Sequence, residues 1–198
     1  MLIVEHVLLC LPFDDCLGTG GNDGVFSGNS QVASADFLPD NGGWQALYAG
    51  GAARCVKLGN ATHEGVATTP QLQLDGQELE LTFYAAPWGN DDTTLTLSAS
   101  GNATLAQTDF SMVKGKWTAF TTKLNGTGAT RITFTPGKRF FLDEVVVRHR
   151  MWLRASARRA RLPARWWLWL TIRPTDARRQ NLQGALIWCV CLTEACVR

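Results

Sequence analysis

Apolar and polar residues alternate with a period of two over several stretches of the chain. The runs at 79–85 (LELTFYA), 94–99 (TLTLSA) and 131–135 (RITFT) each put every second side chain on one apolar face. That spacing predicts half-buried β-strands. The run at 140–147 (FFLDEVVV) is apolar at most positions and predicts a more buried closing strand. The run at 117–124 (WTAFTTKL) is rich in Thr and aromatics, which suit a pleated surface. Shorter strands are expected over 55–58 and 66–69. Between them lie Asp75-Gly76, Lys114-Gly115, Asn125-Gly126 and Pro136-Gly137, the chemistry of tight reversals. No window of 12 or more residues between 12 and 148 carries a helical period. Short strands separated by turns predict an all-β fold, an antiparallel β-sandwich or jelly roll.

Charge then divides the 198-residue chain. Residues 1–149 carry 9 Lys+Arg against 15 Asp+Glu, a balance of −6, and residues 150–198 carry 10 Arg against Asp176 and Glu194, a balance of +8. Three segments are therefore expected: an N-terminal extension at 1–11, a sandwich body at 12–149, and an Arg- and Trp-rich tail at 150–198. The extension is apolar without a positive start or a small-residue cleavage site, so it reads as an opening strand or linker rather than a signal peptide. The tail holds five of the eight Trp and three of the six Cys, with no Lys. It has the composition of a GC-rich message translated out of frame; the alternative is a basic tail for phosphates or membrane surfaces. It is not expected to pack as a domain. A hydrophobic content of 45% excludes wholesale disorder, and no apolar run reaches the ~18 residues a bilayer span needs. The Gly-rich stretch at 17–24 lacks the Lys-Ser/Thr of a phosphate loop and no helix pattern follows it, which argues against a nucleotide site.

Several blocks together resemble a known module. FDDCLGTGGNDG at 13–24, CVKLG at 55–59, ATTP at 67–70, LTF at 81–83, AAPW at 85–88, TLTL at 94–97, KWT at 116–118 and FFLDEV at 140–145 are similar, in order and spacing, to a β-sandwich module common in Bacteroidetes surface and secreted proteins. The resemblance covers about residues 12–148. It implies a galactose-binding-like jelly roll, an accessory or adhesive domain of a larger exported protein, located outside the cell or on its surface. Nothing in that pattern matches residues 150–198.

Candidate chemistry follows from single residues. Asp14, Asp15, Asn22 and Asp23 lie in or beside a loop whose carbonyls can turn inward, and Asp143 interrupts an apolar strand, where a bare carboxylate is costly to bury. Hard oxygens of this kind suit Ca²⁺, and modules like the one resembled often hold a structural Ca²⁺ between first loop and last strand. Asp14, Asn22, Asp23 and Asp143 are thus expected metal ligands. The alternative is that Asp143 accepts hydrogen bonds from loop amides or pairs with Arg139. For a sugar, Trp88 is the leading stacking platform, because Asn90, Asp91 and Asp92 follow it in a polar loop; Trp44, after two glycines, is second, and Trp117 is expected in the core. Cys16 and Cys55 either close a disulfide, which the extracellular setting of the resembled module favours, or stay as two buried thiols. No G-x-S-x-G or H-E-x-x-H occurs, and His63 and scattered carboxylates are the only candidate bases. The expected function is non-catalytic: a module that binds glycan or a neighbouring domain, with no nucleic-acid role for the body. A purely structural spacer is the second reading and a glycoside hydrolase-like enzyme the third.

Overall fold

A computed structural model of the chain describes residues 2–27 and 42–153, with side chains described over 6–27 and 42–149. Of the tail expected at 150–198, residues 150–153 continue β-strand structure and residues 154–198 lie outside the described residues. Fourteen strands are described: β1 (Leu2–Leu11), β2 (Gln45–Leu47), β3 (Ala49–Gly51), β4 (Val56–Leu58), β5 (Val66–Thr68), β6 (Leu72–Asp75), β7 (Leu79–Pro87), β8 (Thr94–Ala99), β9 (Thr104–Leu105), β10 (Asp109–Ser111), β11 (Thr118–Asn125), β12 (Thr127–Thr130), β13 (Ile132–Pro136) and β14 (Phe140–Leu153). Among the described residues there is no helix, and so none long and apolar enough to cross a membrane.

The strands form the two layers of an antiparallel sandwich. One sheet runs β3-β4-β14-β7-β11-β9, with β1 also paired to β14; the other runs β10-β8-β13-β5-β2, and β6 pairs with β12 in a small third sheet. The period-two runs account for the core directly. Leu81, Phe83 and Ala85 of β7 and Phe140, Leu142, Val145 and Val147 of β14 belong to one buried cluster with Leu95 and Leu97 of β8 and Ile132 and Phe134 of β13. Phe83 lies at its centre, with ring contacts to Phe110 (5.4 Å), Phe120 (5.3 Å) and Phe134 (5.2 Å). Each such ring removes a large apolar area from water, and the edge-to-face packing adds to it.

Two departures from regular geometry shape the outer face of the sheet that holds β7 and β14. First, the back of the β7–β14 sheet carries a second buried cluster of Phe26, Ala52, Cys55, Ala86, Trp88 and Phe141. The loop after Phe13 lies flat across it. Gly20 and Gly21 take positive φ (98° and 80°), and a Cβ on Gly21 would run into the Cys55 sulfur while one on Gly20 would meet the Phe141 ring at 3.0 Å. The glycines of this loop are thus required by close approach to the sheet.

Second, β14 carries a β-bulge. Asp143 pairs with Tyr84 and Val146 with Thr82, so β14 holds one extra residue between them. Strict alternation from Leu142 would turn residue 144 toward the core. The extra residue instead gives the inward places to Val145 and Val147, both fully buried, and leaves Glu144 exposed. Glu144 takes φ 51°, an uncommon conformation for a residue with a Cβ.

Candidate functional site

Beside the bulge, an open groove with a volume of about 720 Å³ is lined by Asp14, Asn22, Asp23, Ala53, Arg54, Tyr84, Trp117, Asp143 and Glu144. Its floor is the back of β7 and β14. Tyr84 is the outward residue in the alternation Leu81-Thr82-Phe83-Tyr84-Ala85, and 43% of it remains exposed. Trp117 is half-buried, packing edge-on against Phe26 (5.7 Å) and Phe141 (6.2 Å). The walls come from the Gly-rich loop and the turn before β4. Three of the four non-glycine residues with positive φ, namely Phe13, Arg54 and Glu144, are at or next to groove-lining positions.

The polar groups hold one another. Asn22 uses both hydrogens of its amide, donating to the Asp143 carboxylate (2.8 Å) and to the Arg54 carbonyl (2.9 Å). The Glu144 N–H donates to the other Asp143 oxygen (3.0 Å). Asp143 is 6% exposed, and burial pushes its carboxyl up to about 7 despite those two donors. Burial, then the negative charge of Asp14, also raises Glu144 above the usual carboxylate range. Arg54 engages Asp14 through two nitrogens, at 2.7 and 3.1 Å.

All four expected metal residues line this groove, but they do not fit a calcium ion. Asp23 accepts from the Gly20 and Val25 amides with its two oxygens (2.7 and 2.9 Å), Asp14 faces a guanidinium, and Asn22 turns its N–H groups rather than its oxygen to Asp143. Among the described residues no three His, Cys, Asp or Glu side chains converge as a metal would require. Asp143 has the loop-amide environment that was the alternative to calcium, and Arg139 pairs elsewhere.

The expected sugar platform is displaced. Trp88 is 6% exposed: it stacks on Phe141 at 5.3 Å, and Lys57 Nζ lies over its ring at 3.8 Å. Phe26, brought in by the loop whose backbone accepts from Gly89 N–H (2.6 Å), completes the cover. Asp91 makes a two-point ion pair with Arg139 (2.6 and 3.0 Å), which holds its carboxyl below the ordinary value. Asp92 caps the Thr94 amide (2.8 Å), and the Asn90 carbonyl accepts from Lys114 Nζ (2.9 Å). Trp44 is half-buried and packs against Phe13 at 5.3 Å, away from the groove. Cys16 and Cys55 are buried thiols rather than a disulfide; burial pushes Cys55 up to about 12, and its Sγ–H points at the Gly20 carbonyl (3.6 Å). The residues that sequence reasoning missed are Tyr84, Arg54 and Glu144, with Trp117 assigned to the core alone. For Tyr84 a signal existed: its place in the alternation of β7 turns it away from the core.

No protein-family model matches the chain, and no curated protein matches it. Several solved structures show a distant likeness, among them two carbohydrate-active proteins. The isomalto-dextranase of Arthrobacter globiformis T6, complexed with panose, is 13% identical with a TM-score of 0.37, over 52% of this chain and 21% of that one. The CBM22-1–GH10 modules of Clostridium thermocellum endo-1,4-beta-D-xylanase 10B, complexed with xylohexaose, are 13% identical with a TM-score of 0.40, over 77% of this chain and 30% of that one. This chain spans less than a third of either, and neither likeness assigns it an activity.

Proposed function

We propose that this protein is a non-catalytic glycan-binding module and that its site is the Tyr84–Trp117 groove. One observation carries the reading: an exposed tyrosine ring stands in an open cavity of about 720 Å³ among carboxylates, an amide and a guanidinium. A pyranose has an apolar face for such a ring and hydroxyls for such a rim, and the volume lies in the range of small-molecule sites. The strained backbone at Arg54 and Glu144 supports it, because strain of that kind gathers where side chains must be aimed. The setting that goes with this function is the cell surface or the extracellular space, as an accessory domain.

A glycan array with the wild type and Tyr84→Ala tests the proposal. Tyr84 is exposed, so the variant is expected to fold, and loss of one stacking ring should weaken binding about tenfold, or about 1.4 kcal/mol. A wild type that binds no sugar on the array would defeat it. The burial of Trp88 favours a second reading, a structural spacer whose aromatics serve packing alone, and that same empty array is the result it expects.

A further inference from the structure

The groove is lopsided in charge. Asp14, Asp23 and Glu144, with Asp143 only partly ionised near neutral pH, stand against the single guanidinium of Arg54, and Arg54 already pairs with Asp14. A bound anion would need donors. The Asn22 amide has both hydrogens in use, the loop amides of Gly20 and Val25 serve Asp23, and the Trp117 indole nitrogen is buried away from solvent. Glu144 stands apart. It is exposed, and no hydrogen bond or ion pair engages its carboxylate among the described residues, while the bulge sets it next to Asp143 on the groove wall.

We infer that the groove selects its glycan by charge, admitting neutral and amine-bearing sugars and refusing those that carry carboxylate or sulfate groups, with Glu144 as the residue that sets the refusal. The inference rests on the reading of the groove as a glycan site. Its physical basis is that discrimination needs a repulsive element as well as an attractive one, and like charges brought together in a partly dehydrated site supply it. Glu144 is suited to that role because nothing neutralises it. Asp14 and Asp23 have their charge offset by a guanidinium or by loop amides.

The test uses the full chain on an array printed with neutral, amine-bearing, uronic-acid and sulfated glycans, at low salt, with wild type and Glu144→Gln. The expected wild-type signal is confined to neutral and amine-bearing glycans, with uronic-acid and sulfated glycans at least tenfold weaker. Glu144→Gln keeps the side-chain shape and should raise the anionic signal severalfold relative to the neutral one. Raising the salt should narrow the same gap, since the repulsion is screened. Anionic glycans bound as well as neutral ones would overturn the inference and leave the groove reading standing. An unchanged pattern in Glu144→Gln would overturn the role of Glu144. No signal from any class would instead bring down the groove reading itself.

Discussion

Tyr84 and Trp88 sit four residues apart at the same outward-facing alternation of one strand and its continuation, yet one ring meets solvent and the other does not. Around Trp88 the outer layer is closed: Phe26 from the flat loop, Phe141 beneath and Lys57 above leave no free ring face. Around Tyr84 the cover is open: Asp14, Asn22, Asp23 and Arg54 line the groove beside it and leave 43% of the residue exposed. What separates a buried ring from an exposed one here is the path of a distant loop, since strand, face and residue class are shared. Lys57 shows the cost of closure: burial, and then the nearby Arg139, lower its amine below the ordinary value.

The largest expected effect is on the closed side. Trp88→Ala should cost about 3–5 kcal/mol, as deletion of a buried aromatic does, seen as a marked drop in thermal midpoint. Tyr84→Ala should leave that midpoint within the range of ordinary surface changes, about 0.5 kcal/mol, while binding falls. If the two variants melted alike, the contrast between the rings would be lost.

Next in size is a pH effect on the open side. Asp143 has a folded value of about 7 against an ordinary 3.8. Its contribution to stability is complete below the unfolded value and is lost as pH rises through the folded one. The wild type should therefore lose stability between about pH 4 and pH 7 relative to Asp143→Asn, read as the difference in midpoint at the two ends of that window. Asp91 works the other way: its lowered value makes it stabilising above its ordinary 3.8 and lost on further acidification, so it does not blur the window. An identical slope in Asp143→Asn would mean that the buried carboxyl is not the source.

A smaller change is expected at the bulge. Glu144→Gly removes a side chain from a left-handed backbone and should stabilise by about 1 kcal/mol, net of the lost side chain; chemical denaturation at constant slope would measure it. Smallest of all, a chelator should not move the melting curve, because Asp14, Asn22, Asp23 and Asp143 already have hydrogen-bond or ion-pair partners. A shift would reinstate a calcium site.

The layers of the fold were legible because a period of two is a local property. The strands at 79–85 and 94–99 were bounded within a few residues, as β7 and β8 show, whereas the strand expected over 140–147 starts where expected but runs on to Leu153 in β14. Strands of two or three residues, such as β9 and β10, are too short to display any period. The site was half legible. An aspartate inside FFLDEVVV signalled that something must meet it, and Asn22 does, 121 residues away. The polar run after Trp88 signalled an exposed ring, but it could not show that Phe26 and Lys57 would arrive from 62 and 31 positions upstream. The bulge left no trace, because Leu142, Val145 and Val147 read as one continuous apolar strand until their register against β7 is known.

That register has an evolutionary side. Deleting the codon for residue 144 would let Val145, Val146 and Val147 follow Asp143 in unbroken pairing with β7, with every inward valine still inward. The groove would lose one negative charge and the sandwich would keep its layers. The charge of this surface can thus be gained or shed by a single insertion or deletion, a route of change independent of the packed interior.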